Sequence, residues 1–195
     1  MKRAGEQQHE ATVMRIHLAL SLVAVAACGS SDAAQEPSTG ADGGAAGSEP
    51  GMLDDQGIEK AAMSYARDFT RVNKQAYPTR QHLGNMPVDV FANAAAERTY
   101  RAIDYPATAS GAPRFPAGSM LVKAMLDGGA PVVLTVMYKK APGYDPPHGD
   151  WWYGRLNVDG TPTNVAYVGK VDFCDSCHSG AAATDFAWGI VPSNK

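Results

Sequence analysis

The chain has 195 residues, of which 45% are hydrophobic and 19% charged, with a formal net charge of −3 and three cysteines. From residue 53 onward, 14 acidic side chains balance 14 lysines and arginines. Neutrality without a basic stripe argues against nucleic acid as a partner, and no stretch in that region has the length and apolarity of a transmembrane helix.

At the N-terminus, residues 1–13 (MKRAGEQQHEATV) are polar and poorly suited to the start of an export signal, so Met14 competes with Met1 as the true first residue. Residues 16–28 (IHLALSLVAVAAC) form an apolar run of about a dozen residues, too short to span a bilayer and typical of a secretory core. Small residues lead into Cys28 as VAAC, which resembles the bacterial lipobox, where the cysteine is lipidated and becomes the mature N-terminus. The alternative is an ordinary cleaved signal with an incidental cysteine. Residues 29–52 are nearly all small or polar, carry little apolar surface to bury, and read as a flexible tether. The expected organisation is therefore a lipoprotein signal over 1–28, a linker over 29–52 and one domain over 53–195. Such a protein hangs from a membrane through its lipid, in the bacterial periplasm or at the cell surface.

Within the domain, residues 53–75 place Ile58, Ala62, Tyr65, Phe69 and Val72 at three-to-four spacing behind Asp54 and Asp55, which predicts an amphipathic helix. A shorter helix is expected over 88–97 (VDVFANAAAE). The period then changes to two. RTYRAIDY (98–105), GSMLVKAML (118–126), PVVLTVMYKK (131–140), DWWYGRLNV (150–158) and NVAYVGKV (164–171) are strand-like, and LDGGAP, APGYDPPHGD and VDGTPT separate the later ones as turns. Short connections between consecutive strands favour antiparallel pairing. Trp151 and Trp152 are assigned to core or pocket wall, the core being favoured. His82 and His148 lie in polar, turn-like stretches and are expected at the surface.

One strand carries an unusual charge. Alternation puts Leu121, Lys123 and Met125 on one face and Met120, Val122 and Ala124 on the other. An amine held among apolar neighbours loses hydration, its pKa falls, and its neutral form becomes a nucleophile. A snorkelling or edge-blocking lysine explains the same pattern, and the pattern by itself favours that reading.

Near the C-terminus stands VDFCDSCHSG (171–180). With Cys28 assigned to lipid, only Cys174 and Cys177 remain. A structural zinc needs four ligands, and the domain offers only the distant His82 and His148 besides His178, so zinc is a poor fit. A redox disulfide between the two cysteines stays as an alternative. Cys-x-x-Cys-His is specifically the attachment motif of c-type haem: each thiol adds across one vinyl group, and the adjacent His178 becomes the proximal iron ligand. Met86, Met120, Met125 and Met137 are candidates for a sixth ligand, although their spacing suits a core, and a five-coordinate iron with an open distal face is preferred. The fold class expected is α+β: a mainly antiparallel sheet with an N-terminal amphipathic helix and a short C-terminal haem-binding helical segment.

The order FPAGSMLVK, then VMYKKAPGYDPPHGDWWYG, then FCDSCHSGAAATDFAW resembles the cytochrome P-460 family over residues 90–190. Those proteins are β-rich monohaem cytochromes c, typically dimers, with the haem motif late in the chain. They include hydroxylamine-oxidising enzymes and the related β-type cytochromes c′, which bind nitric oxide or carbon monoxide. The resemblance implies one covalent haem c on Cys174 and Cys177, with His178 on the iron. It implies a role for Lys123 as the lysine bonded to the haem edge, and for Asp185 and Trp188 in packing and orientation. It also implies a homodimer, a redox partner protein, and hydroxylamine or nitric oxide as substrate or ligand. Hydroxylamine-oxidising members carry a distal carboxylate on the strand after the lysine; here Thr135 falls at that place, and no Asp or Glu lies between Asp127 and Asp145. Threonine can hydrogen-bond a ligand but cannot act as a base near neutral pH. The competing expectations are an electron-transfer cytochrome with six-coordinate haem and no substrate, and a structural module with a disulfide and no haem.

Overall fold

The computed structural model describes residues 51–79, 82, 84–106, 111 and 114–195. The expected export signal, Cys28 and nearly all of the expected tether lie outside the described residues. The Asp54 side chain accepts the backbone N–H of Gly57 at 2.7 Å and starts α1 (Asp55–Ala62), which buries Ile58 and Ala62. This helix is much shorter than the 53–75 expectation. A single further turn, α2 (Tyr65–Asp68), is followed by β1 (Thr70–Arg71), and Val72 continues extended with its N–H donating to the Val90 carbonyl. The buried Asn73 takes the N–H of Val90 on its Oδ1 at 2.7 Å. Pairing with a neighbouring strand thus overrides the helical periodicity at a run containing β-branched Thr70 and Val72.

After β2 (Tyr77–Pro78), residues expected as helix form β3 (Pro87–Ala92), in which Val88, Val90 and Ala92 alternate inward. The helix begins only at Asn93, whose Oδ1 caps the N–H of Ala96 at 3.0 Å, and runs as α3 (Ala94–Arg101). The first half of the strand expected over 98–105 is therefore helical, because the cap sits five residues before it. Asn93 also receives the N–H of Met120 and donates to the Gly118 carbonyl, which ties the helix start to the next strand.

The long strands fall where alternation predicts them: β4 (Met120–Asp127), β5 (Ala130–Lys139) and β6 (Trp151–Asn157). Of the 164–171 segment only β7 (Val168–Gly169) is strand, since residues 165–167 make a 3-10 turn capped by Asn164. Among the described residues the sheet has seven strands in the order β1-β3-β4-β5-β6-β7, with β2 also on β3, and each of these pairs is antiparallel. A short α4 (Asp172–His178) follows. Among the described residues no helix is long and apolar enough to cross a membrane.

Consecutive Trp151 and Trp152 are both fully buried, on opposite faces of β6. One core packs α1 against Val122, Leu134, Val136 and Trp152. The other packs α3 and the C-terminal segment against Val90, Leu121, Met125, Trp151 and Tyr153. The candidate site lies in this second core.

Candidate functional site

Helical spacing puts Cys174, Cys177 and His178 on one side of α4. The chain then tightens into a 3-10 segment (Ser179–Thr184) and reverses through Asp185 and Phe186, whose φ values of 55° and 64° lie in the left-handed region. This reversal brings the Phe186 carbonyl to 2.6 Å from His178 Nδ1. A carbonyl can only accept, so Nδ1 carries the proton and Nε2 is left as the basic nitrogen. Burial pushes the His178 imidazole down to about 4, with the Phe186 bond opposing and the Lys123 charge adding to the shift. His178 is therefore a neutral, oriented imidazole at physiological pH.

Asp185 holds the reversal in place. Its fully buried carboxylate takes Lys139 Nζ at 2.8 Å, Arg114 Nη1 at 3.0 Å and the Phe115 N–H at 2.8 Å, while its carbonyl accepts Trp151 Nε1 at 2.7 Å. Gly149 admits this turn: a Cβ there, at φ 70°, would stand 2.7 Å from the Phe186 ring.

Between α4 and the sheet the side chains enclose a cavity of about 520 Å³, with Cys174, Cys177 and His178 on one wall. The sheet supplies the other wall. Val90, Lys123, Thr135 and Arg155 are register partners in turn across β3, β4, β5 and β6, which places the four in one transverse row. All four line the cavity. Lys123 is half-buried, and among the described residues its amine has neither an ion pair nor a hydrogen bond. Burial pushes this amine down to about 8, and the neighbouring Cys177 works against the shift. Burial raises the Cys174 thiol to about 11.

The cavity lies within the range of about 300–1,000 Å³ usual for small-molecule and cofactor sites. Its donor set suits a haem. Two thiols and an oriented imidazole share a wall, Leu121, Met125 and Met137 give apolar surface, and a ring of Tyr153 stands 5.2 Å from that of His178. Tyr153 Oη, Arg155 Nε and Trp188 Nε1 are buried without a hydrogen-bond partner among the described residues. Such donors fit a group bearing carboxylates.

Cys174, Cys177, His178, Lys123 and Thr135, the site residues expected from the sequence, all line one cavity. Met125 and Met137 reach it; Met120 packs on the opposite side of the sheet and Met86 is not part of the lining. His82, expected at the surface, instead lines the cavity, its ring centre 6.4 Å from that of His178. His148, also expected there, is half-buried, with Nδ1 at 3.1 Å from Asp145 and 3.5 Å from the buried Asp175. Tyr153 and Arg155 were missed as well, although strand alternation from Thr135 and its pairing partner could have placed Arg155 on the same face. A scan against protein-family models finds no match for this chain, and neither does a search of curated proteins.

Proposed function

We propose that this chain is an exported, lipid-anchored monohaem c-type cytochrome of the P-460 kind, which binds or oxidises small nitrogen species such as hydroxylamine or nitric oxide. One observation carries the reading: the Cys-x-x-Cys-His residues and Lys123 converge on a single apolar cavity of about 520 Å³. Cys174 and Cys177 would hold the haem covalently and His178 Nε2 would bind its iron. Bound there, the haem supplies one-electron redox chemistry and a site for small ligands. The chain's own residues do the rest. The Phe186 carbonyl orients His178 and keeps its ligating nitrogen basic. The apolar wall limits water, and Tyr153, Arg155 and Trp188 offer donors to carboxylates. Thr135 can hydrogen-bond a ligand but cannot take its proton, so turnover is expected to be slow. Lys123, a neutral-prone amine on the opposite wall from the thiols, is the candidate for a bond to the haem edge.

The test combines mass and spectrum. The mature protein from a host competent in haem attachment should exceed polypeptide plus lipid by one haem, and Lys123→Leu should shift an atypical absorption spectrum towards that of an ordinary c-type haem. A haem-free mass would sink the proposal, and identical spectra would remove the lysine bond from it. A second reading, an electron-transfer cytochrome with six-coordinate haem, is favoured by the position of His82 opposite His178.

A further inference from the structure

His82 lies between β2 and β3, and the described residues on either side of it are tied down. Pro78 pairs with Pro87, the Thr79 N–H donates to the Met86 carbonyl at 3.3 Å, and the His82 N–H reaches Thr79 Oγ1 at 3.3 Å. Gly84 and Asn85, at φ 66° and 67°, make the left-handed turn that brings the chain back to β3. The imidazole is thereby directed into the cavity, where among the described residues it has no hydrogen bond or ion pair. Its ring plane stands at 90° to that of His178, with 6.4 Å between ring centres.

That separation has a chemical meaning. A metal–imidazole bond is about 2.0 Å, and adding roughly 1 Å from each ring centre to its nitrogen gives about 6 Å between two imidazoles that share one metal. Edge-to-face packing of rings occupies a similar range and is the competing explanation. One feature separates the cases. Packing alone does not explain why a half-buried imidazole that has no hydrogen bond or ion pair among the described residues is brought to the cavity wall facing His178.

We infer that His82 is the second axial ligand of the haem iron, opposite His178. The inference rests on the haem reading above, and goes beyond it by closing the iron's distal face. Neither Met125 nor Met137 is then needed as sixth ligand. Electron transfer can proceed with both imidazoles bound, whereas any small ligand must first displace His82.

The experiment uses the haem-loaded protein and its His82→Ala variant, with cyanide and added imidazole as probes. Covalent haem is measured first on a denaturing gel; protein without it would remove the cytochrome reading itself, and this inference with it. With haem present, the wild-type ferric protein should be low-spin, with the electron paramagnetic resonance of two imidazole ligands. His82→Ala should become high-spin, bind cyanide about tenfold faster or more because the binding-competent state is no longer a minor fraction, and return to low-spin when imidazole is added. A high-spin wild type would overturn the inference whether or not the variant folds. So would a low-spin wild type showing the sulfur-to-iron band of methionine ligation.

Discussion

Gly154 shows how finely one residue is fitted: its backbone lines the cavity, while a side chain there would project to the other face of the sheet. A Cβ at this position would stand 2.6 Å from two atoms of the Trp152 ring, which is itself fully buried. The indole cannot swing away, because Leu134, Val136 and α1 close around it. Gly154→Ala should therefore destabilise the domain by about 1–3 kcal/mol through overpacking, read as a lower denaturation midpoint with little change in the visible spectrum. A neutral effect would mean that the Trp152 ring has room that its neighbours do not show. Not every residue of this kind is legible beforehand. The orientation of Lys123 was, because alternation in a strand fixes which face each side chain takes. The place of His82 was not, because it depends on a contact with a residue far along the chain that no local pattern encodes.

At the scale of elements, β4, β5 and β6 were readable because their β-branched and aromatic residues alternate between two buried faces and are separated by glycine- and proline-rich turns. The 53–75 and 88–97 segments misled because apolar residues at mixed spacing satisfy either period, and the partner strand decides. Asn73, through its bond to Val90, and Asn93, through its cap, mark the actual boundaries. The C-terminal reversal is likewise an element defined by one polar residue. Asp185 gathers Lys139, Arg114 and the Phe115 N–H, and the left-handed turn it starts delivers the Phe186 carbonyl to His178. Asp185→Ala leaves Lys139 without its buried partner, and breaking such a pair costs about 3–5 kcal/mol. The loss should appear in thermal melts together with a changed haem spectrum, since the imidazole loses the frame that orients it. A stability loss with an unaltered spectrum would show that Asp185 supports the fold without positioning His178.

For the whole molecule, the two sides of the sheet are not equivalent. The side under α1 is closed by the chain's own side chains, whereas the side under α4 encloses about 520 Å³ that those side chains do not fill. Protein interiors are otherwise close-packed, so under the haem reading proposed above the second core would depend on that group for much of its cohesion. A covalently attached group makes its packing and imidazole contacts only in the folded state; these contribute several kcal/mol, and each kcal/mol moves the midpoint of a domain this size by roughly 2–4 °C. Cys174→Ser/Cys177→Ser, which cannot attach haem, should therefore melt about 10 °C or more below the loaded wild type. The wild-type chain made in a host without haem attachment should melt with the variant, which separates the effect of the cofactor from that of the substitutions. The loosening should also be one-sided. Amide exchange should rise through α4 and the 179–190 segment, while α1, packed against Trp152 and Leu134 on the far face, keeps its protection. Equal melting of loaded and haem-free protein, or exchange that rises equally on both sides, would count against a cofactor completing this core.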